Sequence, residues 1–358
     1  MHNLNRLIVG LLSMLACLHS AAANAADSTS VPVVPQTLLK LIHAPEVQQE
    51  LGMDPDNEAL LAVLRELDGP WWRSRNLPED KQQQAVAELE KELLSRLKGM
   101  LSADAFRRLR EIEVQSQGVR ALVRPNIAKA IGLQSNQKQS LEASCLETDR
   151  IARLLLGNPK NRGSVEQELS RARETEQKLL NESLTSTQRS ALAKLVGKPF
   201  DTAGLKRILP LAPELIDSGE WTDGRPTTLA DHRGKVVLVH FYAFQCHNCV
   251  ANFDHYNRWQ KELARRGVSV IGIQTPETAA ERNVSLVRAA AKEKGFEFPV
   301  LIDTSSKNWE AWGNTMWPTV YVVDKRGYIR SWWQGELNWQ GATGDRSIET
   351  LVDQLLAE

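Results

Sequence analysis

The C-terminal half of this chain predicts an α/β layered domain, preceded by an all-α domain. Three observations carry that expectation. Lys235–Tyr242 is a nearly continuous apolar run, as a central buried strand requires. Strand-like and helix-like segments alternate from there to the end of the chain. From Leu38 to Val196, by contrast, apolar residues recur three and four apart and never alternate with period two over a useful length. The expected divisions are a leader at 1–25, a linker at 26–37, a helical domain at 38–198 and the α/β domain at 199–358.

Arg6 precedes the apolar run Leu7–Leu18, and an Ala-rich stretch with Ala23-Asn24-Ala25 follows, which is the pattern of a secretory signal peptide. The run is short for a bilayer span, so an exported, periplasmic protein is expected. Acylation at Cys17 would instead tether it to a membrane, although Met14 is a poor opening for a lipoprotein box. Cleavage near Ala25 leaves Cys145, Cys246 and Cys249, which is a working pair and an odd thiol rather than a disulfide framework. Lys plus Arg and Asp plus Glu both number 44, so no global field points to nucleic acid or a membrane surface.

Within the helical stretch, Val86, Leu89, Leu93 and Leu97 share one face, as do Val165, Leu169 and Ala172. The stretch also reads as two units of about 80 residues. Pro45–Met53 lines up with Pro125–Leu133, and Leu101-Ser102 with Leu184-Thr185. Chance likeness between helix-start signals is the competing explanation. Leu184-Thr185-Ser186-Thr187-Gln188 also resembles the LTxxQ signature of small periplasmic helical stress proteins, although a Thr185 N-cap accounts for it equally well.

In the C-terminal half, strands are expected at 235–242, 268–273, 298–302, 319–323 and 328–333, the last two forming a hairpin over Asp324–Gly327. Helices are expected at about 247–265, 280–294 and 347–356. Alternation on a strand lets only one of Trp332 and Trp333 face a core, leaving the other as a candidate exposed contact. Trp71 and Trp72 read as packing anchors.

Cys246-His247-Asn248-Cys249 stands where the apolar strand ends and a helix begins. Unpaired N–H groups and the macrodipole at a helix start favour a thiolate on the first cysteine, and the second lies one turn deeper, in reach of a mixed disulfide. Cys246 and Cys249 are therefore the candidate catalytic residues. His247 is either a stabiliser of the Cys246 thiolate or a solvated side chain.

The segment Phe241–Cys249, with Gly272–Glu277 and Trp309–Thr319, resembles the active-site pattern of the thioredoxin superfamily, closest to exported TlpA-like proteins and the soluble domains of DipZ-type proteins. The resemblance spans about 213–356. It implies a thioredoxin-like fold and thiol–disulfide oxidoreductase activity without a cofactor. It makes Pro318 a cis proline facing the cysteines, with Trp317 offering substrate a strand-like edge. It implies protein thiols or disulfides as partners and a membrane electron donor. Two departures stand out. His240 occupies the place of a buried Asp that relays protons, and Asn252 that of a Glu found in some exported relatives. His240 is thus a candidate relay or, alternatively, a hydrogen-bonded core residue.

Three rivals remain on the sequence. A peroxiredoxin-like peroxidase needs a Thr where Ala243 stands. A metal module built on Cys246, His247 and Cys249 lacks a fourth ligand, so no metal site is expected. An interaction or chaperone-like protein would use the fold as a platform only. The direction of exchange is not encoded, since His247 between the cysteines argues for an oxidant and the architecture for a reductase. Cys145 reads either as a buried apolar residue or as a third redox partner. Oligomeric state is equally unmarked.

Overall fold

A computed structural model describes residues 34–54, 57–157, 162–205 and 209–358; the expected signal peptide, Cys17 and residues 26–33 of the linker lie outside them. The described helices of the N-terminal half are α1 (Leu38–His43), α2 (Pro45–Glu50), α3 (Glu58–Ser74), α4 (Glu79–Met100), α5 (Ala103–Gln117), α6 (Pro125–Ile131), α7 (Ser135–Gly157), α8 (Arg162–Ser183) and α9 (Ser186–Val196). The chain falls into two compact units, but not at the expected border. Of the described residues, those up to Asn57 and those from Val86 to 205 form one, and Glu58–Ala85 joins those from 209 to Glu358 in the other. The expected division at 38–198 therefore needs correction at α3 and the start of α4, because Trp72 lies in a core of the C-terminal unit.

In the helical unit, Val119, Leu122, Ile131, Leu141, Leu180, Leu184 and Leu192 close one core. Several helix starts here are met by side chains, which satisfy orphan N–H groups. The Glu90 carboxylate accepts from Leu38 N (2.7 Å) and Leu39 N (3.2 Å) at α1. Burial raises its pKa to about 7. At α9, Thr185 and Gln188 form a reciprocal capping box, and Gln188 Nε2 also donates to Gly132 O (2.9 Å). The LTxxQ match is thus a helix start with a tie to the end of α6. Part of the expected linker is packed: the Thr37 hydroxyl lies 2.7 Å from that of Ser116, and Gln117 donates to Pro35 O. Cys145 is fully buried in α7, and burial pushes its thiol up to about 12, the reading of a structural residue.

The C-terminal unit is built on β1 (Val236–Tyr242), β2 (Val268–Gln274), β3 (Val300–Ile302), β4 (Thr319–Val323) and β5 (Ile329–Gln334). The sheet order is β3-β2-β1-β4-β5, with β1, β2 and β3 parallel, and β4 antiparallel to both β1 and β5. Helices α10 (His247–Leu263), α11 (Val284–Glu293), α12 (Lys307–Ala311) and α13 (Gly344–Ala357) complete it. Every residue of β1 is buried, because both faces of the sheet are covered. On one face Val236, Leu238 and Tyr242 pack against Cys249, Phe253, Tyr256 and Trp259 of α10 and Ile348, Val352 and Leu355 of α13. On the other, Val237, Val239 and Phe241 meet Trp221, Trp312, Tyr321 and Trp72.

Two expectations change here. Both members of the Trp332–Trp333 pair are packed, Trp332 on one face and Trp333 on the other, since each face carries a core. The single helix expected at 280–294 breaks into a 3-10 turn at Ala280–Arg282 and α11, because Asn283 caps the N–H groups of Ser285 and Leu286. Helix α12 carried no signal in the sequence, being five residues long.

Candidate active site

Strand β1 delivers the chain to Ala243, and Cys246 opens α10 as its N-cap, in extended backbone (φ −70°, ψ 119°) with its carbonyl taking the first helical bonds. No side chain caps this helix start. Cys246 is half-buried, whereas Cys249, one turn on, is fully buried. Both are thiols rather than a disulfide. Burial first, and then its hydrogen bond with Cys246, raise the Cys249 pKa, while an N–H···S contact from Ala243 at 3.5 Å acts in the opposite sense. The pair thus divides into one reachable sulfur and one sheltered proton-bearing sulfur. His247 is exposed at the first residue of α10.

The Trp317–Pro318 peptide is cis, and Pro318 is buried at the entry to β4. Phe244, Cys246 and Trp317 pack, partly buried, against one and the same core cluster. The Trp317 ring stacks on Trp309 with centroids 4.0 Å apart, and its buried Nε1 has no hydrogen-bond partner. Cys246, Cys249 and Trp317 thus share one core cluster, and Pro318 follows Trp317 directly in the chain.

His240 lies in the floor of β1, stacked on Tyr256 at 4.0 Å and edge-on to Phe298 at 4.9 Å. Neither ring nitrogen has a hydrogen-bond partner, which departs from the expected hydrogen-bonded core residue. Burial lowers its pKa to about 3, so it is neutral near pH 7. Its ring fits only because Gly272 faces it: a Cβ there would stand 3.1 Å from His240 Nε2 and 2.9 Å from Val300. Asn252, in the place of the missing Glu, is a structural tie. Its amide donates to Gly335 O (3.1 Å) and accepts from Leu337 N (2.9 Å), pinning the chain that leaves β5.

Sequence reasoning missed Glu281. Its fully buried carboxylate accepts from Gln245 N (2.7 Å), immediately before Cys246, and from Glu277 N (2.7 Å) and Thr278 N (2.9 Å). Thr278 Oγ1 adds a 2.6 Å bond to the Gln245 side chain. No periodicity or motif marks this residue; only the fold brings the two loops together. Among the described residues, no group of three or more His, Cys, Asp or Glu is arranged to hold a metal ion, and no helix is long and apolar enough to cross a membrane.

Residues 212–332 match the AhpC/TSA family. Protein DipZ of Mycobacterium tuberculosis (strain CDC 1551 / Oshkosh) is 31% identical over 220 residues, covering 60% of this chain and 30% of that protein. The thiol-disulfide oxidoreductase YkuV of Bacillus subtilis (strain 168) is 25% identical over 146 residues, 41% of this chain and 94% of its own length. A solved thiol:disulfide interchange protein of the thioredoxin family from Chlorobium tepidum TLS aligns with a TM-score of 0.35 and 26% identity, over 42% of this chain and 98% of that one. The chain thus spans less than a third of the length of DipZ.

Proposed function

We propose that the protein is an exported thiol–disulfide oxidoreductase acting on protein cysteines, a reading supported by the thioredoxin-like fold of its C-terminal half and the match of residues 212–332 to the AhpC/TSA family. The observation that carries the reading is the division between a half-exposed Cys246 at the uncapped start of α10 and a buried, proton-bearing Cys249 one turn deeper. In the reducing direction the Cys246 thiolate attacks a substrate disulfide, forming a mixed disulfide and releasing one substrate thiolate. That thiolate is a base and takes the Cys249 proton. Cys249 then attacks the Cys246 sulfur, releasing the second thiolate and leaving a Cys246–Cys249 disulfide. The substrate gains two electrons, the dithiol loses two, and the reverse sequence oxidises a substrate dithiol. Trp317 and Pro318 supply the edge on which an extended substrate segment lies. Export is supported by the leader-like pattern ending at Ala23-Asn24-Ala25.

Reduction of insulin in the presence of dithiothreitol, followed by turbidity, tests the proposal. Wild type is expected to accelerate it, Cys246→Ser to be inactive, and Cys249→Ser to trap substrate proteins as mixed disulfides. Equal rates for wild type and Cys246→Ser would sink it.

A further inference from the structure

Helix α12 ends at Ala311, and the backbone N–H groups of Trp312, Asn314 and Gly313 close the carbonyls of Asn308, Trp309 and Glu310. The next three carbonyls, of Ala311, Trp312 and Gly313, are instead answered by a segment more than 230 residues earlier in the chain. Trp72 Nε1 donates to Trp312 O (2.8 Å), and Arg73 Nη1 to Ala311 O (3.3 Å). Arg75 Nη2 donates to Trp312 O (3.1 Å) and Gly313 O (2.7 Å), and Asn76 Nδ2 to Gly313 O (2.9 Å). The Arg75 guanidinium lies 3.8 Å over the Trp72 ring and bonds the Tyr321 hydroxyl, which itself donates to Asn314 Oδ1 at 2.8 Å. Gly313 adopts φ 60°, and a Cβ there would meet Arg75, Arg73 and Asn76 at 3.1–3.3 Å. Four side chains from a five-residue stretch thus hold three consecutive carbonyls. Two residues separate Asn314 from Trp317, whose ring is stacked on Trp309 of α12.

We infer that Trp72–Asn76 is a positioning element of the thiol–disulfide site, clamping the 311–314 loop and through it the placement of Trp317 and Pro318. The inference rests on the oxidoreductase reading for its consequence in catalysis. The clamp touches no sulfur, so it acts on docking of a protein substrate and not on the intrinsic reactivity of Cys246. Arginine suits the task because its planar fork sets Nη1 on Trp72 O (2.7 Å) while Nη2 serves Trp312 O and Gly313 O, a spread that the single nitrogen of a lysine does not have.

The test uses the full chain with Arg75→Ala and Arg75→Lys. Arg75→Ala is expected to lower kcat/KM for insulin reduction about tenfold, chiefly through KM. Alkylation of Cys246 by iodoacetamide should stay within about twofold of wild type, since that rate follows the thiolate alone. Arg75→Lys should fall between. Hydrogen exchange at amides 312–317 should quicken in Arg75→Ala. Insulin kinetics unchanged in Arg75→Ala, or Cys246 alkylation falling in step with insulin reduction, would overturn the inference. Should wild type fail to reduce insulin at all, the oxidoreductase reading falls by itself, and unaltered exchange at 312–317 would then overturn the clamp separately.

Discussion

The site has two shoulders, and they are held by opposite chemistry. Beside Cys246 the backbone is fixed by an acceptor: one carboxylate, Glu281, gathers three N–H groups from two loops. Beside Trp317 it is fixed by donors: Trp72, Arg73, Arg75 and Asn76 satisfy the carbonyls of Ala311, Trp312 and Gly313, at and just past the end of α12. The first tie spans 36 positions, and the second spans about 240 and uses the end of α3, which belongs to the same compact unit. Orphan donors at one loop call for an anion, and orphan acceptors at a helix end for a cation or amide. The chain meets the two needs from different distances, so the two shoulders can be perturbed independently.

The sharpest test of that contrast is Glu281→Gln. An amide accepts on one side only, so either the Gln245 bond or the Glu277–Thr278 pair is lost, leaving buried groups unpaired at a cost of about 1–3 kcal/mol. Loosening the backbone at Cys246 should slow its alkylation and insulin reduction together, each by about tenfold. Arg75→Ala is expected to separate those two readouts, and identical profiles for the two variants would break the comparison.

A change in the floor beneath both shoulders gives a middling, pH-dependent effect. His240 has a folded pKa of about 3 against 6.5 for the free group, so below pH 6.5 the unfolded chain binds a proton that the native state refuses. Stability is fully present above pH 6.5 and is lost as pH falls towards 3, by about 1.4 kcal/mol per unit. In His240→Leu that component of acid loss should vanish, read from urea unfolding at pH 7 and pH 5. An undiminished slope in the variant would show that the histidine is not its source. If the imidazole relays the Cys249 proton, the same variant should also lose insulin reduction near pH 7, and retained turnover would discard the relay.

The smallest expected effect is an absence of coupling. The two shoulders share no hydrogen-bond partner, so stability losses of Glu281→Gln and Arg75→Ala should add to within about 0.5 kcal/mol in the double variant. A larger discrepancy would mean that they form one network.

Much of this layout was legible in the sequence. The nearly continuous apolar run of β1 announced a strand covered on both sides, and the sequence already set Cys246 at a strand-to-helix switch, where α10 begins. The cis bond before Pro318 was implied by resemblance and not by any physical signal in the residues. What stayed hidden was non-local. Periodicity says that Trp72 is buried, but not that its partner is the carbonyl of Trp312. Glu281 stands in an Ala-rich stretch with nothing to distinguish it from a solvated acid. The error over Trp332 and Trp333 came from assuming one core where the sheet has two.

The start of α10 carries a sulfur where proteins ordinarily place a hydroxyl or carboxylate, and nothing closes off the first-turn donors. That vacancy in the usual repertoire of helix caps implies a trade between durability and turnover. Serine at 246, the preferred kind of residue for that spot, should make the fold firmer by roughly 0.5–2 kcal/mol even as it abolishes exchange. The serine variant would then melt above the wild type, and a loss of insulin reduction in it could not be blamed on a weakened scaffold.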